Sequence, residues 1–265
     1  MLGLFIVSAI AYGAATYAYG SKAETGDEPT GLGRFGRLLL AVAALLHTLA
    51  IGAQCVDGDH PLKNIFLATS FGALIAVGGY LGLSRGRKLD ALGPLMAPLG
   101  LIGLVLGVLF SKMGAEHAVP GGTGVASAHV ALASIGFAGF TLAAGVAGLY
   151  LVAERRLQRK QFRPGASGMS LSGLDRLQHR LVLLVTPIFT LAIVTGVLWI
   201  LDLGGWSELR GRAFEVAAGG IAWLCSAGLL IARAVWGTAG RSAALATLTA
   251  FASMVLIVAW YGVNT

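Results

Sequence analysis

Eight long apolar runs take up most of this chain, and they constrain its architecture more than any other feature. A transmembrane helix needs about 20 mostly apolar residues, since only a helix or a closed barrel satisfies the backbone's hydrogen bonds in hydrocarbon. The runs lack the polar-apolar alternation of barrel strands. They are Met1 to Tyr19, Phe35 to Gln54, Leu62 to Leu83, Leu92 to Lys112, Val125 to Val152, His179 to Leu201, Arg212 to Val235 and Ala243 to Tyr261. The sequence therefore predicts an all-α, polytopic membrane protein with eight transmembrane helices.

The longest hydrophilic segment, residues 153–178, divides these runs into two groups. Its first half is basic and its middle is rich in proline, glycine and serine, which is typical of a hinge. Five predicted helices precede it in residues 1–152 and three follow it in residues 179–265. We expect a single eight-helix membrane domain with one basic cytoplasmic loop.

Lysine and arginine are concentrated in alternate loops, and this bias predicts the orientation of the chain. Loops rich in these residues face the cytoplasm. Both termini are therefore expected outside, in a multi-pass protein of the cell inner (cytoplasmic) membrane. The formal net charge of +7 fits contact with anionic membrane lipid. It requires no nucleic-acid partner.

Motifs for catalysis are absent from the sequence, which contains no P-loop, no G-x-S-x-G and no H-E-x-x-H. Cys55 and Cys225 lie far apart with no C-x-x-C spacing, so neither a thioredoxin-like redox site nor a c-type haem attachment site is predicted. Glu215 is the only acidic residue near hydrocarbon, which is weak support for a proton relay. These features favour a binding protein over an enzyme.

Two histidines lie inside the predicted helices. His47 falls near mid-bilayer, and His129 lies about four residues inside the outer end of the fifth run. Each faces a lane of mostly small side chains at helical spacing, which for His129 consists of Ala133, Gly136 and Phe140. An imidazole in lipid needs a partner, because burying it alone costs several kcal/mol. That partner is either a hydrogen bond from a neighbouring helix or a metal, and haem iron accepts neutral imidazole.

The other histidines and two tryptophans have simpler explanations. His60 and His117 lie on predicted outer loops near the level of His129, where each is either a solvated side chain or a second axial ligand. His179 is expected to be an interfacial anchor at the opposite end. Trp199 and Trp206 are expected to belong to the aromatic belt at the membrane surface.

Several stretches together resemble the cytochrome c assembly family of membrane proteins, the group that contains CcsA, CcmC and the HemX-like or YpjD-like proteins. The resemblance extends over nearly the whole chain from Phe35 onward. Its strongest parts are "LLHTLAIGAQCVDGDHPLKNIF", with a Gly-x-x-Pro-x-x-Asn turn, and the histidine-valine helix "AHVALASIGFAGF". A Gly-x-x-Gly-Arg turn at Gly237 to Arg241 belongs to the same set.

The resemblance implies that the chain binds haem b non-covalently. It matches His129 to a haem ligand on the external face and His47 to a ligand within the membrane. In this hypothesis His129 is the principal axial ligand, and His47, His60 or His117 completes the coordination of iron.

Two departures from the family pattern shape the functional prediction. The tryptophan-rich loop that presents haem to apocytochrome is missing between Trp199 and Trp223, and the family's histidine in the seventh helix is replaced by Ile231. The resemblance therefore favours the HemX-like branch, with a role in haem binding, haem export or the regulation of haem biosynthesis. The expected protein partner is a cytoplasmic protein of haem biosynthesis or another cytochrome c assembly component. The alternatives are a cytochrome c biogenesis component that presents haem, and a small-solute transporter without a cofactor.

Overall fold

The computed structural model describes residues 2–25, 32–85, 89–110, 124–160 and 169–263. Every regular element in these ranges is helical, which confirms the prediction of an all-α chain. A 3₁₀ turn at Asp90–Leu92 precedes the fourth α-helix. The α-helices are α1 (Leu2–Thr25), α2 (Leu32–Val56), α3 (Ile65–Leu83), α4 (Gly93–Leu109), α5 (Gly124–Gln158), α6 (Leu171–Gly204), α7 (Trp206–Gly211), α8 (Ala213–Trp236) and α9 (Arg241–Val263).

Seven of the described helices are long and apolar enough to cross a membrane. They are α1, α2, α3, α5, α6, α8 and α9. The predicted run from Leu92 to Lys112 forms α4, which has 17 residues and is shorter than the roughly 20 that a crossing requires. Because seven of the described helices can each cross a membrane, the chain is a multi-pass membrane protein.

Helices α5 and α6 form the central pair of the bundle. They are antiparallel, because the start of α5 lies beside the end of α6: His129 contacts Gly196, whereas Gly139 lies farther along α5 and contacts Val185. Helices α1 to α4 pack together, and α3 joins them to α5. Helix α8 packs on α9, which also contacts α5.

Glycines on α4 allow close packing against the tyrosines of α1. A methyl group at Gly100 would overlap the ring of Tyr12, and one at Gly93 would overlap the ring of Tyr19. Both tyrosines are fully or almost fully buried. Small residues allow helix backbones to approach each other in lipid, where no hydrophobic force drives helices together. Helices α1 and α4 therefore pack closely, with the two tyrosine rings filling the space between them.

A smaller apolar cluster joins α5, α6, α8 and α9. Phe140 of α5 and Phe189 of α6 pack edge to face with their ring centroids 5.3 Å apart. Ala222 of α8 and Met254 of α9 complete the cluster. It leaves room next to it at one end of the bundle, where the cavity described below begins.

The hydrophilic segment predicted at residues 153–178 is partly helical. Helix α5 continues to Gln158 and α6 already begins at Leu171, while residues 161–168 lie outside the described part of the chain. Ser170 starts α6 as its N-cap, since its side chain accepts a hydrogen bond from the Gly173 amide. Polar residues at both helix ends extend the helices beyond their apolar runs.

An ion pair connects helices at the end of the bundle where α6 begins and α8 ends. Arg233 of α8 donates two hydrogen bonds to Asp175 of α6, the shorter at 2.6 Å. The Gly240 amide donates a third at 2.9 Å, from a left-handed backbone conformation with φ of 69° that glycine adopts easily. Asp175 thus connects α6, α8 and the start of α9.

Candidate functional site

A cavity of about 490 Å³ lies at the end of the bundle where α3, α5 and α8 begin and α6 and α9 end. All five of these helices contribute side chains to its lining, which is mostly apolar. Pockets for small-molecule ligands commonly enclose roughly 300 to 1,000 Å³. The cavity is thus large enough for a ligand of that class.

His129 lies in the second turn of α5 and lines this cavity. Its Nδ1 lies 2.7 Å from the carbonyl oxygen of Ala192. Because a carbonyl only accepts hydrogen bonds, Nδ1 carries the proton, and Nε2 of the neutral ring keeps its lone pair. A carbonyl partner of this kind commonly fixes the tautomer of histidines that bind metals. The arrangement suits His129 to bind a metal through Nε2.

Gly196 provides the space that the His129 ring occupies. A Cβ atom at this position would lie 2.7 Å from Cε1 and 2.8 Å from Nδ1 of His129, closer than real Cβ contacts allow. The next residue toward the end of α6 on this face is Trp199, whose ring centroid is 5.9 Å from that of His129. The geometry at His129 therefore depends on α6 as much as on α5.

One polar group in the lining consists of Arg212, Glu215 and Tyr261, and we call it the rim of the cavity. The Arg212 guanidinium carbon lies 5.4 Å from the centre of the Trp199 ring, within the range of a cation–π contact. The Tyr261 hydroxyl interacts with both Glu215 and Arg212. The rim thus combines a cation, an acid and a hydroxyl beside a mostly apolar space.

The small side chains predicted to face a ligand beside His129 are divided between two roles. Ala133 lines the cavity. A Cβ at Gly136 would lie 3.1 Å from the Phe189 ring, and Phe140 is buried against the same ring. Only the first turn of the predicted lane therefore faces the open space.

His47 lies in a closed region outside the lining of this cavity. Its ring is fully buried, with Nδ1 3.2 Å from the Tyr12 hydroxyl and Nε2 3.0 Å from the Ser70 hydroxyl. Helices α1, α2 and α3 meet at this point. Both ring nitrogens are occupied by hydrogen bonds from neighbouring helices, the non-metal alternative that the sequence left open.

The remaining predicted ligands are not brought into the cavity by the described residues. His60 is exposed, and its Nδ1 accepts a hydrogen bond of 3.3 Å from the Leu62 amide. His117 lies outside the described residues. No group of three or more histidine, cysteine or acidic side chains that could hold a metal ion occurs in the described part of the chain.

The sequence interpretation missed the roles of Arg212 and Tyr261, and it assigned Trp199 to the aromatic belt. Trp199 belongs to α6, Arg212 is the N-cap of α8 and Tyr261 belongs to α9, so the three residues meet only after the chain folds. One signal was available, because Arg212 and Glu215 begin one predicted helix at the level where Tyr261 ends the next. Charged groups placed there are candidates for a shared polar site.

Comparisons with known proteins identify two similarities. The family described as Cytochrome C assembly protein matches residues 38–265. Protein HemX of Brevibacillus brevis is 25% identical over 164 residues, which are 61% of this chain and 60% of that protein. The chain therefore matches less than two thirds of this relative's length. No solved structure shows a significant match.

Proposed function

The chain belongs to the cytochrome c assembly protein family, and from this premise we propose that it is a membrane protein that binds haem b non-covalently in the cavity beside α5. Family membership and the similarity to HemX support a role in haem handling or cytochrome c biogenesis. Within that range, we propose binding, export or regulation of haem biosynthesis.

The observation that carries the proposal is the free lone pair of His129 in an apolar cavity. The Ala192 carbonyl fixes the proton on Nδ1, so Nε2 is available as a ligand. Haem iron accepts a neutral imidazole as an axial ligand, and haem pockets are otherwise largely apolar. The residues present therefore fit the group, with His129 as the principal ligand.

A second ligand is proposed from the remaining histidines. His60 lies four residues before Asn64, which lines the cavity, and His117 belongs to the segment before α5. His47 remains a proposed ligand as well, but its binding to iron would require the loss of a hydrogen bond to Tyr12 or Ser70. We therefore propose His60 or His117 before His47 as the second ligand, because His47 would first have to give up one of its hydrogen bonds.

We propose that α4 also crosses the membrane, which brings the number of transmembrane helices to eight, and that both termini face outward. Arginine and lysine near the end of α5 then lie in the cytoplasm, as the positive-inside rule requires. The cavity lies at the opposite end of the bundle and so faces the outer leaflet of the inner membrane. The basic segment 153–178 is the proposed contact for a cytoplasmic protein of haem biosynthesis or for another assembly component.

The visible absorption spectrum of the purified protein tests this function. After expression with ample haem, we expect a Soret band that is lost in His129→Ala. His179→Ala is the matched control, because this histidine of α6 is absent from the cavity lining, and it should keep the band. A colourless wild-type protein that takes up no added hemin would overturn the proposal.

The second candidate function is the presentation of haem to apocytochrome, which the family description favours. In a strain that lacks a cytochrome c synthase, the chain should then restore covalent c-type cytochromes, detected by haem staining of denatured protein. We expect no restoration, since the tryptophan-rich loop is absent between Trp199 and Trp223. Covalent cytochrome in this assay would favour the second candidate over simple haem handling.

A further inference from the structure

Two buried N–H donors beside the cavity have no acceptor among the described residues. One is the indole Nε1 of Trp199, a side chain that is only 8% exposed. The other is Nε of Arg212, whose nearest carboxylate oxygen, on Glu208, is 3.9 Å away and beyond hydrogen-bonding distance. Both residues line the cavity. Buried donors are nearly always paired in folded proteins, so this pair indicates an acceptor that a ligand supplies.

The contacts around Arg212 hold it at the rim without using all its donors. The Tyr261 hydroxyl interacts with Glu215 and Arg212, and it can donate to the carboxylate while it accepts from the guanidinium. A guanidinium carries five N–H groups, so several remain after this contact. The two unpaired donors therefore favour a ligand that brings a hydrogen-bond acceptor to the rim.

We infer that Arg212 and Trp199 form a subsite for a carboxylate of the bound ligand. The inference rests on the proposed function, under which these carboxylates are the propionate groups of haem. His129 and Arg212 both lie beside Trp199: the His129 ring centroid is 5.9 Å and the Arg212 Cζ atom 5.4 Å from the centroid of the Trp199 ring. A ligand with an apolar plane and an acidic edge matches this order of imidazole, indole and guanidinium.

Metal-free protoporphyrin IX and its dimethyl ester provide the test, because they differ only in their carboxylates and need no iron ligand. Binding of each to the full chain in lipid nanodiscs is followed by porphyrin fluorescence, with empty nanodiscs subtracted. Arg212→Gln should weaken binding of the acid about 10- to 100-fold and leave binding of the ester unchanged. Trp199→Phe should weaken binding of the acid about 3- to 10-fold.

Matched controls lie close by on α7. Arg210→Gln removes the same charge two residues away, where the side chain is exposed and its Nε donates a hydrogen bond to the Trp206 carbonyl, at 3.4 Å. Trp206→Phe changes an indole that is 72% exposed. Both control variants should keep the wild-type ratio of acid to ester affinity. Thermal unfolding verifies that each variant folds, and Trp199→Phe tests the subsite with all charges kept if Arg212→Gln does not fold.

The remaining outcomes would overturn either the subsite alone or the subsite together with the proposed function. Equal weakening by Arg212→Gln and Arg210→Gln would mean a general effect of surface charge and would overturn the subsite. Unchanged acid-to-ester ratios in Arg212→Gln and Trp199→Phe would also overturn it, while porphyrin binding and the proposed function would stand. A wild-type protein that binds neither porphyrin nor hemin would overturn both.

Discussion

His47 and His129 have similar neighbours along the sequence but different neighbours in the fold. Each lies in an apolar helix beside small side chains. His47 is fully buried and hydrogen-bonded through both nitrogens to hydroxyl groups of α1 and α3. His129 is hydrogen-bonded through one nitrogen to a backbone carbonyl and lines a cavity. Hydrogen bonds thus occupy both nitrogens of His47, whereas Nε2 of His129 remains available to a ligand.

The difference shows that the partner's chemistry decides what a membrane histidine can do. Hydroxyl groups donate or accept, so Tyr12 and Ser70 satisfy His47 in either tautomer. A carbonyl only accepts, so Ala192 fixes one tautomer of His129 and leaves Nε2 as a free base. We therefore interpret His47 as a structural crosslink between helices and His129 as a binding group, and three substitutions test this contrast.

The largest effect on stability is expected for His47→Ala. The substitution leaves the hydroxyls of Tyr12 and Ser70 without their partner and opens a cavity where three helices meet. We expect a loss of about 2 to 5 kcal/mol in the free energy of unfolding. Reversible unfolding of the haem-free protein in mixed detergent micelles measures it.

His60→Ala is the matched control for this substitution, because His60 is exposed. It should change the free energy of unfolding by no more than about 0.5 kcal/mol. Equal losses in the two variants would contradict the assignment of His47 as a crosslink. A folded His47→Ala protein without a Soret band would instead make His47 a haem ligand.

The next effect is expected for Gly196→Ala, which acts on the open site. The added methyl group would displace the His129 ring and weaken its bond to Ala192. We expect haem affinity to fall about 10-fold or more, with a loss of about 1 to 3 kcal/mol in stability from overpacking. Hemin titration and detergent unfolding measure the two quantities.

Gly228→Ala is the control, since nothing lies within 4 Å of a Cβ at that position of α8. It should leave haem affinity unchanged and should not lower stability. Wild-type haem affinity in Gly196→Ala would show that the orientation of His129 does not control binding.

The sequence was sufficient to predict the seven long apolar helices and two of the turns between them. Long apolar runs need no tertiary information, because the bilayer requires each one to satisfy its own backbone. Asn64, the last residue of the predicted Gly-x-x-Pro-x-x-Asn turn, caps α3 by accepting a hydrogen bond from the Leu67 amide at 2.9 Å. Gly237 and Gly240 both have left-handed backbone conformations in the predicted Gly-x-x-Gly-Arg turn. These features depend on a few neighbouring residues.

The candidate site was only partly predictable, because it depends on the register between helices. The partners of His47 are 35 and 23 residues away in sequence, and the partner of His129 is 63 residues away. No local pattern states which face of α6 meets α5 or that Arg212 will lie on Trp199. The helix α7 was missed for a related reason, since a six-residue element in a glycine-rich connection has little periodicity.

The smallest effect is expected for Ser70→Ala, which removes one of the two partners of His47. The ring keeps its bond to Tyr12, so we expect a loss of about 1 kcal/mol in the free energy of unfolding and no change in the haem spectrum. Ser253→Ala is the matched control, because the Ser253 hydroxyl donates only to the Thr249 carbonyl of its own helix. Since that carbonyl is already part of the helical backbone ladder, stability should hardly change. Equal losses for the two serine variants would mean that the His47–Ser70 bond contributes nothing to stability, and the closed site would then depend on packing and Tyr12 alone.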